Sequence, residues 1–288
     1  LGYAIGGFNG YMTSDVLQGS GLSSSAAFEV MIGTILSGLY NEMKVDPVVI
    51  GQVGQYSENV YFGKPCGLMD QSACSVGSLI HIDFKDNSKP VVEKVDVEFS
   101  SFKHSLCIVD VHASHADLTD DYAAVPYEMK KVAQFFGKEV LREVDEKDFY
   151  NQLVEVRKEV GDRAILRAIH LFNENKRVEK AVSSLKNNDF DTFKQVIKDS
   201  GDSSYKYLQN VYSNKYPDNQ VSLALALSEG ILENHGVCRV HGGGFAGTIQ
   251  AFVEDEYVDH YKEEIEKYFG EGSCHVLKVR KFGGMKVL

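Results

Sequence analysis

Apolar positions recur along this chain with two different periods, and together they predict a mixed α+β protein. From Ser25 to Met43 the apolar and small residues return at helical spacing, so this range is predicted as a helix. Asp46 and Pro47 are typical of an N-cap and a first helical turn, and they predict a second helix that ends near residue 63. The glycine-rich segment 1–11 alternates loosely, which is typical of a strand end with its hairpin.

The rest of the chain repeats the same two patterns. Short apolar runs bounded by turn residues predict strands at 79–84, 91–97, 105–111, 237–241, 248–253 and 274–279. Amphipathic spacing predicts helices at 120–137, 146–160, 162–187, 189–208, 219–235 and 254–269. Strands that alternate with helical hairpins indicate a pair of layered domains with a site between them.

Composition is that of an ordinary soluble globular protein, and it argues against several kinds of partner. The 288 residues exceed the usual size of a single core, and 43% of them are hydrophobic and 25% charged. The net charge of −11 argues against nucleic-acid and membrane-surface partners, because both demand a basic face. No apolar run reaches the roughly 20 residues of a membrane helix.

The five cysteines are scattered and form no C-x-x-C pair, which favours a reduced, cytoplasmic protein.

The most informative stretch is Gly19–Ala27, where two glycines and a run of serines lead directly into the first predicted helix. The first N–H groups of a helix have no intrahelical partner and carry a partial positive charge, so phosphate is their natural ligand. Glycines let the backbone wrap an anion, and serine hydroxyls can bind phosphate or a phosphate-bound Mg²⁺. The alternative is a serine-rich N-cap on a buried helix.

Three other patterns are weaker. Gly242–Gly247 has the G-x-G-x-x-G spacing of dinucleotide sites, but it lies between two predicted strands, which favours a hairpin loop. A Walker-type loop is absent, because neither Gly63-Lys64 nor Gly137-Lys138 is followed by Ser or Thr. The segment 112–121 carries two histidines and several aspartates, yet it lacks a third well-spaced ligand for zinc.

Three segments resemble, in the same order, the motifs of the GHMP small-molecule kinases. Gly19–Ala27 resembles the phosphate-binding motif of that family, Cys66–Gln71 resembles the segment with the active-site aspartate in its galactokinase branch, and Gly242–Gly247 resembles its C-terminal glycine-rich loop. The resemblance covers nearly the whole chain. It implies an α+β GHMP kinase fold, with a ribosomal protein S5 domain 2-like N-terminal domain at 1–115 and a ferredoxin-like C-terminal domain with added helices at 116–288.

The resemblance also implies roles for individual residues. Asp70 would be catalytic and contact the sugar hydroxyl, Ser25 and Glu58 would bind Mg²⁺, and Gly67 and Tyr122 would contact the sugar. The implied ATP-binding residues are Gly19, Ser20, Gly21, Leu22, Ser23, Ser24, Ser25 and Ala26, and the supporting glycine-rich loop contains Gly242, Gly243, Gly244 and Gly247. By local pattern alone, Asp70 is equally well a helix N-cap and Glu58 a solvated helix residue.

The implied activity is the transfer of the γ-phosphoryl group of ATP to the anomeric hydroxyl of galactose, with ATP and Mg²⁺, in a cytoplasmic monomer or weak oligomer. The alternatives are another GHMP kinase and a catalytically silent galactose and ATP sensor; the intact Ser23–Ala26 run together with Asp70 favours catalysis.

The chain departs from the family pattern at two places. The family segment Gly-Arg-x-Asn-x-Ile-Gly-Glu-His-x-Asp-Tyr has no counterpart and the chain starts at Leu1, so we expect a piece of a longer parent enzyme, which alone need not be active. Ser200–Tyr205 stands where the family often has a serine-and-histidine element, which leaves the roles in that segment open.

Overall fold

The computed structural model describes residues 1–16, 23–63, 66–86, 89–112, 118–213, 219–245 and 247–287, and the chain divides into two compact units. The first unit contains Leu1–Glu98 and the C-terminal residues from Val279 onward, and the second contains Phe99–Lys278. This division lies ahead of the predicted join near residue 115. Among the described residues, no helix combines the length and apolar character needed to cross a bilayer.

The first unit consists of three packed helices and a two-stranded antiparallel sheet. Its elements are α1 (Ser24–Tyr40), α2 (Pro47–Tyr56), a π-helical turn (Ser57–Tyr61), α3 (Met69–Val76), β1 (Leu79–Asp83) and β2 (Val91–Val95). Asp46 caps α2 as predicted, since its side chain accepts a hydrogen bond of 2.7 Å from the N–H of Val48. Small and polar side chains fill the buried face of α1: Ala26, Val30, Thr34 and Ser37.

The predicted strand in residues 1–11 is wrong: this segment has no regular secondary structure and is exposed throughout. A strand requires a partner strand for its backbone groups, whereas Ala4 and Gly7 of this segment are bonded by side chains of α1 and its C-cap. The Tyr40 hydroxyl donates to the carbonyl of Gly7, and the Asn41 side chain bonds both backbone groups of Ala4.

The C-terminal residues return to the first unit. The N–H of Ser78 donates to the carbonyl of Arg280 at 2.7 Å, and Lys94 donates to the carbonyl of Lys281 at 2.9 Å. Arg280 in turn donates to the carbonyls of Phe282 and Gly283, which fixes the turn of the tail. The tail therefore closes one side of the helical layer.

The second unit combines one antiparallel sheet with a helical layer. Its strands are β3 (His104–Asp110), β4 (Gly236–Val240), β5 (Thr248–Glu254) and β6 (Cys274–Leu277), in the order β4-β5-β3-β6. Its helices are α4 (Thr119–Phe135), α5 (Glu146–Asn151), α6 (Leu153–Val160), α7 (Asp162–Lys186), α8 (Phe190–Ser203), a π-helical turn (Ser204–Leu208), α9 (Gln220–Leu232) and α10 (Val258–Phe269).

Strand pairing explains why β3 belongs to the second unit. Ile108 pairs with Gln250 on β5 and with His275 on β6, so β3 is a central strand of this sheet. One face of the sheet packs against α9 and α10, and both sides contribute buried side chains to this core. The strands contribute Cys107, Val109, Ile249, Ala251 and Val253, and the helices contribute Ala224, Leu232, Tyr261 and Ile265. The opposite face carries an aromatic cluster of Phe99, Phe102, Phe190, Phe193 and Phe252.

Two predicted helices are each interrupted. The predicted helix 146–160 is two helices, because Gln152 leaves helical geometry between α5 and α6. The predicted helix 189–208 is α8 followed by the π-helical turn, which ends at Gln209 in the left-handed region at φ 57°. Amphipathic spacing continues across such breaks, so it does not reveal them.

A buried ion pair connects three of these elements. Arg167 of α7 is 2% exposed and donates to the Glu128 carboxylate of α4 at 2.9 Å and to the carbonyl of Leu208 at 3.1 Å. Arg163 donates to the same carboxylate. These bonds fix the end of the π-helical turn against α4 and α7.

A second buried polar cluster surrounds His170, which is 5% exposed. Arg177 donates to the Ser203 hydroxyl oxygen at 2.8 Å, so that hydroxyl can donate to Nδ1 of His170, 2.9 Å away. Glu174 accepts hydrogen bonds from Arg177 and Ser200. Burial lowers the pKa of His170 from 6.5 to about 4, so the imidazole is neutral in the folded protein at neutral pH.

We therefore expect acid to destabilise the second unit through His170. Below pH 6.5 the unfolded chain protonates this residue while the folded protein does not, so stability falls between pH 6.5 and about 4. The expected loss is about 3 kcal/mol of the free energy of unfolding. Urea unfolding of the wild type and His170→Gln at pH 7 and pH 4.5 measures it. A difference between the two proteins that does not change with pH would contradict the prediction.

Candidate functional site

The serine run enters α1 through a strained residue. Ser23 adopts the left-handed region at φ 54°, and its hydroxyl donates to Oδ2 of Asp70 at 2.6 Å instead of capping the helix. Ser24 and Ser25 occupy the first turn of α1, and Ala26 is buried beneath them. The predicted ATP-binding residues Gly19, Ser20, Gly21 and Leu22 lie outside the described residues.

The start of α1 lines a cavity of about 1310 Å³ within the first unit. Its walls include Ser24 and Ser25 from the first turn, Met31 from the following turns and Arg280 from the C-terminal segment. The first N–H groups of a helix lack intrahelical acceptors, and an anion at this end is favoured by the helix dipole. Ser24, Ser25 and Arg280 are groups that can bind an anion, and they lie in a wall that also includes Asp15 and apolar side chains.

Asp70 lies in the first turn of α3, at a helix start as predicted, and its side chain is exposed. The preceding loop is held to the π-helical turn, because the N–H of Cys66 donates to Oδ1 of Asn59 at 2.7 Å. Gln55 donates to the carbonyl of Cys66 at 3.2 Å. Gly67 is exposed in this loop. The loop thus presents Asp70 at the surface of the first unit beside Ser23.

Glu58 is 4% exposed in the π-helical turn, which argues against the alternative of a solvated helix residue. Its Oε2 accepts a hydrogen bond of 3.0 Å from the side-chain amide of Gln71, and the same amide donates to Oε2 of Glu29 at 3.1 Å. Burial, followed by a hydrogen bond to Glu58, raises the pKa of the Cys66 thiol to about 11. Two carboxylates thus lie beside one buried amide.

The chemistry of these groups fits Mg²⁺. Glu58 provides carboxylate oxygens, and its Oε2 is held by the buried amide of Gln71, which also bonds Glu29. Mg²⁺ is a hard cation that binds oxygen ligands and retains waters. Within the described part of the chain, no group of three or more His, Cys, Asp or Glu side chains forms a complete metal site, so any bound Mg²⁺ would also need water or ligand oxygens.

Tyr122 and the glycine-rich loop form a second group, which lies in the second unit. The Tyr122 hydroxyl donates to the carbonyl of Gly244 at 2.6 Å, and its ring meets Phe245 edge-on at 5.2 Å. A Cβ at Gly243 would lie 2.8 Å from the Tyr122 ring, so this position requires glycine. Burial raises the pKa of Tyr122, so the phenol remains protonated and donates.

Asn210 holds the other side of the loop. Its carbonyl accepts from the N–H of Phe245 at 2.5 Å, and its side-chain amide donates to the carbonyl of Gly243 at 3.1 Å. At the end of the loop, the carbonyl of Gly247 accepts from the N–H of Val111 at 2.9 Å. Gly242 starts the loop at φ 64° and is exposed. The loop joins β4 to β5, as the sequence predicts for a hairpin.

We expect Tyr122→Phe to lower the free energy of unfolding by about 1–2 kcal/mol, because the buried carbonyl of Gly244 loses its donor. Chemical denaturation measures the change. Tyr127→Phe is the matched control, since Tyr127 is exposed on the same helix. Equal losses in the two variants would contradict the prediction.

The sequence did not indicate several of these residues. Glu29 and Gln71 are polar residues on the packed faces of α1 and α3. A polar residue where the helical pattern expects an apolar one is the signal that could have identified them. Asn210 carries no such signal, because it follows a π-helical turn that the sequence pattern does not reveal. The segment Ser200–Tyr205, whose role was left open, contributes Ser200 and Ser203 to the buried cluster around His170.

Comparison with known proteins identifies relatives of the chain. Residues 1–78 match the family described as GHMP kinases N terminal domain. Galactokinase from Actinobacillus pleuropneumoniae is 32% identical over 256 residues, which are 88% of this chain and 63% of that protein. Galactokinase from Streptomyces coelicolor is 28% identical over 96% of this chain and 69% of its own length. The chain thus spans a little under two thirds of the length of the first relatives it matches.

Solved structures agree on the fold. The crystal structure of Lactococcus lactis galactokinase complexed with galactose matches with a TM-score of 0.72 at 23% identity, over 94% of this chain and 69% of that one. The crystal structure of L. major mevalonate kinase in complex with R-mevalonate matches with a TM-score of 0.56 at 16% identity, over 88% of this chain and 64% of that one. The predicted α+β GHMP kinase fold is confirmed.

Proposed function

We propose that this chain, a member of the GHMP kinase family, carries the phosphate-binding and catalytic parts of a galactokinase. The reaction would transfer the γ-phosphoryl group of ATP to the anomeric hydroxyl of galactose. One observation carries the proposal: the Ser23 hydroxyl donates to Asp70 at 2.6 Å, although the two residues are 47 positions apart. This bond joins the serine-rich motif to the aspartate motif within one unit, which is the arrangement that phosphoryl transfer needs.

In this proposal the start of α1 binds the phosphates of ATP. Ser24 and Ser25 line the cavity at the first turn of α1, and the N–H groups of that turn together with the two hydroxyls would supply hydrogen bonds to phosphate oxygens. Ser25 and Glu58 would hold Mg²⁺, which neutralises charge on the phosphates when it is bound. Gly19, Ser20, Gly21, Leu22, Ser23 and Ala26 complete the proposed ATP site.

Asp70 is the proposed catalytic residue. Its carboxylate would accept a hydrogen bond from the anomeric hydroxyl and orient that oxygen toward the γ-phosphorus. As the new oxygen–phosphorus bond forms, the bond to ADP breaks, and the hydroxyl proton passes either to the Asp70 carboxylate or, where Asp70 only orients the hydroxyl, to solvent. Ser23 holds the carboxylate by donating a hydrogen bond to Oδ2 of Asp70. The other carboxylate oxygen remains available to accept from the sugar hydroxyl.

The remaining parts of the proposal concern the sugar and the setting of the enzyme. Gly67 and Tyr122 are proposed sugar contacts, and Gly242, Gly243, Gly244 and Gly247 form the supporting loop. The phenol of Tyr122 already donates to the loop, so the proposed sugar contact would use its other edge or its oxygen lone pairs. All five cysteines are free thiols, which supports the proposed cytoplasmic location.

The test is Mg²⁺-dependent release of ADP by the protein that carries this sequence, measured with galactose, glucose, N-acetylgalactosamine and mevalonate. Turnover confined to galactose is the expected result. Turnover with mevalonate alone would replace the substrate with that of another GHMP kinase. ATP binding without turnover on any of the four would replace the enzyme with a silent sensor.

A further inference from the structure

The side chain of Gln71 occupies an unusual electrostatic position. It is 1% exposed, and its Nε2 lies 3.1 Å from Oε2 of Glu29 and 3.0 Å from Oε2 of Glu58. An amide nitrogen carries two N–H groups, so each carboxylate can receive one of them. The two carboxylates also fix the orientation of the Gln71 amide: its NH₂ group faces them, because the amide oxygen in that position would be repelled by both negative charges.

The two carboxylates reach Gln71 from different elements. Glu29 lies on α1 and Glu58 lies in the π-helical turn after α2. Gly54 of α2 permits this approach, because a Cβ there would lie 3.2 Å from the Cβ of Glu29 and 3.3 Å from the Cγ of Gln71. A π-helical turn changes the direction of the side chains that follow it and is frequent at functional sites.

Both carboxylate oxygens bond the same nitrogen, so they lie within about 6 Å of each other, a separation at which like charges repel. A donor between them offsets this repulsion and fixes the rotamers of both side chains. Without the amide, Glu58 would turn away from Glu29. The orientation of the Glu58 carboxylate therefore depends on Gln71.

The same turn of α3 also carries Asp70, the residue directly before Gln71. Asp70 is bound by Ser23 at the start of α1, and Gln71 is bound by Glu29 nearly two turns farther along α1. Consecutive residues of α3 are thus attached to one helix at two points, while Gln71 also reaches Glu58. This arrangement fixes the carboxylates of Asp70 and Glu58 relative to each other.

We propose that Gln71 is a positioning residue for a divalent cation: anchored by Glu29, it holds the Glu58 carboxylate in the orientation that binds the cation beside Asp70. The inference rests on the proposed function for the identity of the cation and of the reaction. Gln71 itself touches neither substrate nor cation in this proposal. Partners that orient a metal-binding carboxylate typically change metal affinity by about 10–100-fold when they are removed.

The test measures binding of Mn²⁺, as a spectroscopic substitute for Mg²⁺, by electron paramagnetic resonance in the presence of adenylyl imidodiphosphate, a non-hydrolysable ATP analogue. Gln71→Met is expected to weaken Mn²⁺ binding by about tenfold or more. Gln195→Met is the matched control, because Gln195 is exposed on α8 in the second unit and donates to Asp199 of the same helix. This control is expected to bind Mn²⁺ within about twofold of the wild type.

A double-mutant cycle separates positioning from a general structural role. If Gln71 acts through Glu58, then Gln71→Met has little further effect on Mn²⁺ affinity in a Glu58→Gln background. An equal loss in both backgrounds would overturn the proposal, and so would an unchanged affinity in the Gln71→Met protein.

Two further measurements keep the outcome decisive. If Gln71→Met does not fold, then Glu29→Gln tests the hydrogen bond by which Glu29 anchors Gln71. This substitution keeps the shape of the Glu29 side chain and removes its negative charge. This variant is expected to weaken Mn²⁺ binding by about threefold or more, and an unchanged affinity would overturn the proposal. A wild-type protein that binds the ATP analogue but no Mn²⁺ would contradict the proposed function itself, which distinguishes the two failures.

Discussion

Replacing Asp70 by asparagine is expected to lower the kcat of the proposed reaction, galactose phosphorylation, by about a hundredfold or more. The substitution keeps the size of the side chain, and an amide oxygen can still accept the hydrogen bond from Ser23. What is lost is the charged acceptor for the attacking hydroxyl. The measurement is ADP release at saturating ATP and galactose, in the protein that carries this sequence.

Asp46→Asn is the control for this substitution. Asp46 also stands at the start of a helix in the first unit, where it caps α2 through the N–H of Val48. The control variant is expected to reduce stability by less than about 1 kcal/mol and to leave kcat within about threefold of the wild type. A kcat for Asp70→Asn in that same range would remove Asp70 from the reaction.

Gly244→Ala is expected to lower the free energy of unfolding of the second unit by at least about 3 kcal/mol. A Cβ at this position would lie 1.9 Å from the carbonyl oxygen of Asn210, and the backbone is in the left-handed region at φ 82°. The backbone must therefore shift. The shift would break the bonds by which Asn210 and Tyr122 hold the loop.

Gly242→Ala separates the steric effect from the conformational one. Gly242 also has a positive φ, of 64°, but no atom lies within 4 Å of a Cβ built there. Only the left-handed backbone is penalised, so the expected loss is about 1–2 kcal/mol. Chemical denaturation of the two variants measures the difference. Equal losses would show that the contact with Asn210 does not constrain the loop.

The local elements were largely predictable from the pattern of residues. The start of α1, the cap of α2 and the strands near residues 79–83 and 248–254 agree with the predictions, because amphipathic period and capping chemistry are local properties. The predicted strand within residues 1–11 was wrong because a strand needs a pairing partner, which no local pattern reveals. Breaks such as that at Gln152 were also missed, since they leave the apolar period unchanged.

The sequence proposed residues for the candidate site, but it did not indicate most of their contacts. The motifs identified Asp70, Glu58 and the serine run, and the hydrogen bond between Ser23 and Asp70 unites two of those motifs. The hydrogen bonds of the Gln71 amide to Glu29 and Glu58 were not predicted. Each of these side chains occupies an ordinary position on its own helix, and their relation exists only because α1, α2 and α3 pack together.

The sequence by itself determined the types and order of most elements, the family resemblance and the chemistry available at the motifs, because these depend on neighbouring residues. Only the tertiary structure decided that β3 pairs with β5 and β6 and so belongs to the second unit, and that the residues after Val279 return to the first. It also decided that the Tyr122 hydroxyl donates to Gly244. A residue pattern states which face of an element is buried, whereas the partner of that face depends on contacts between residues far apart in the chain.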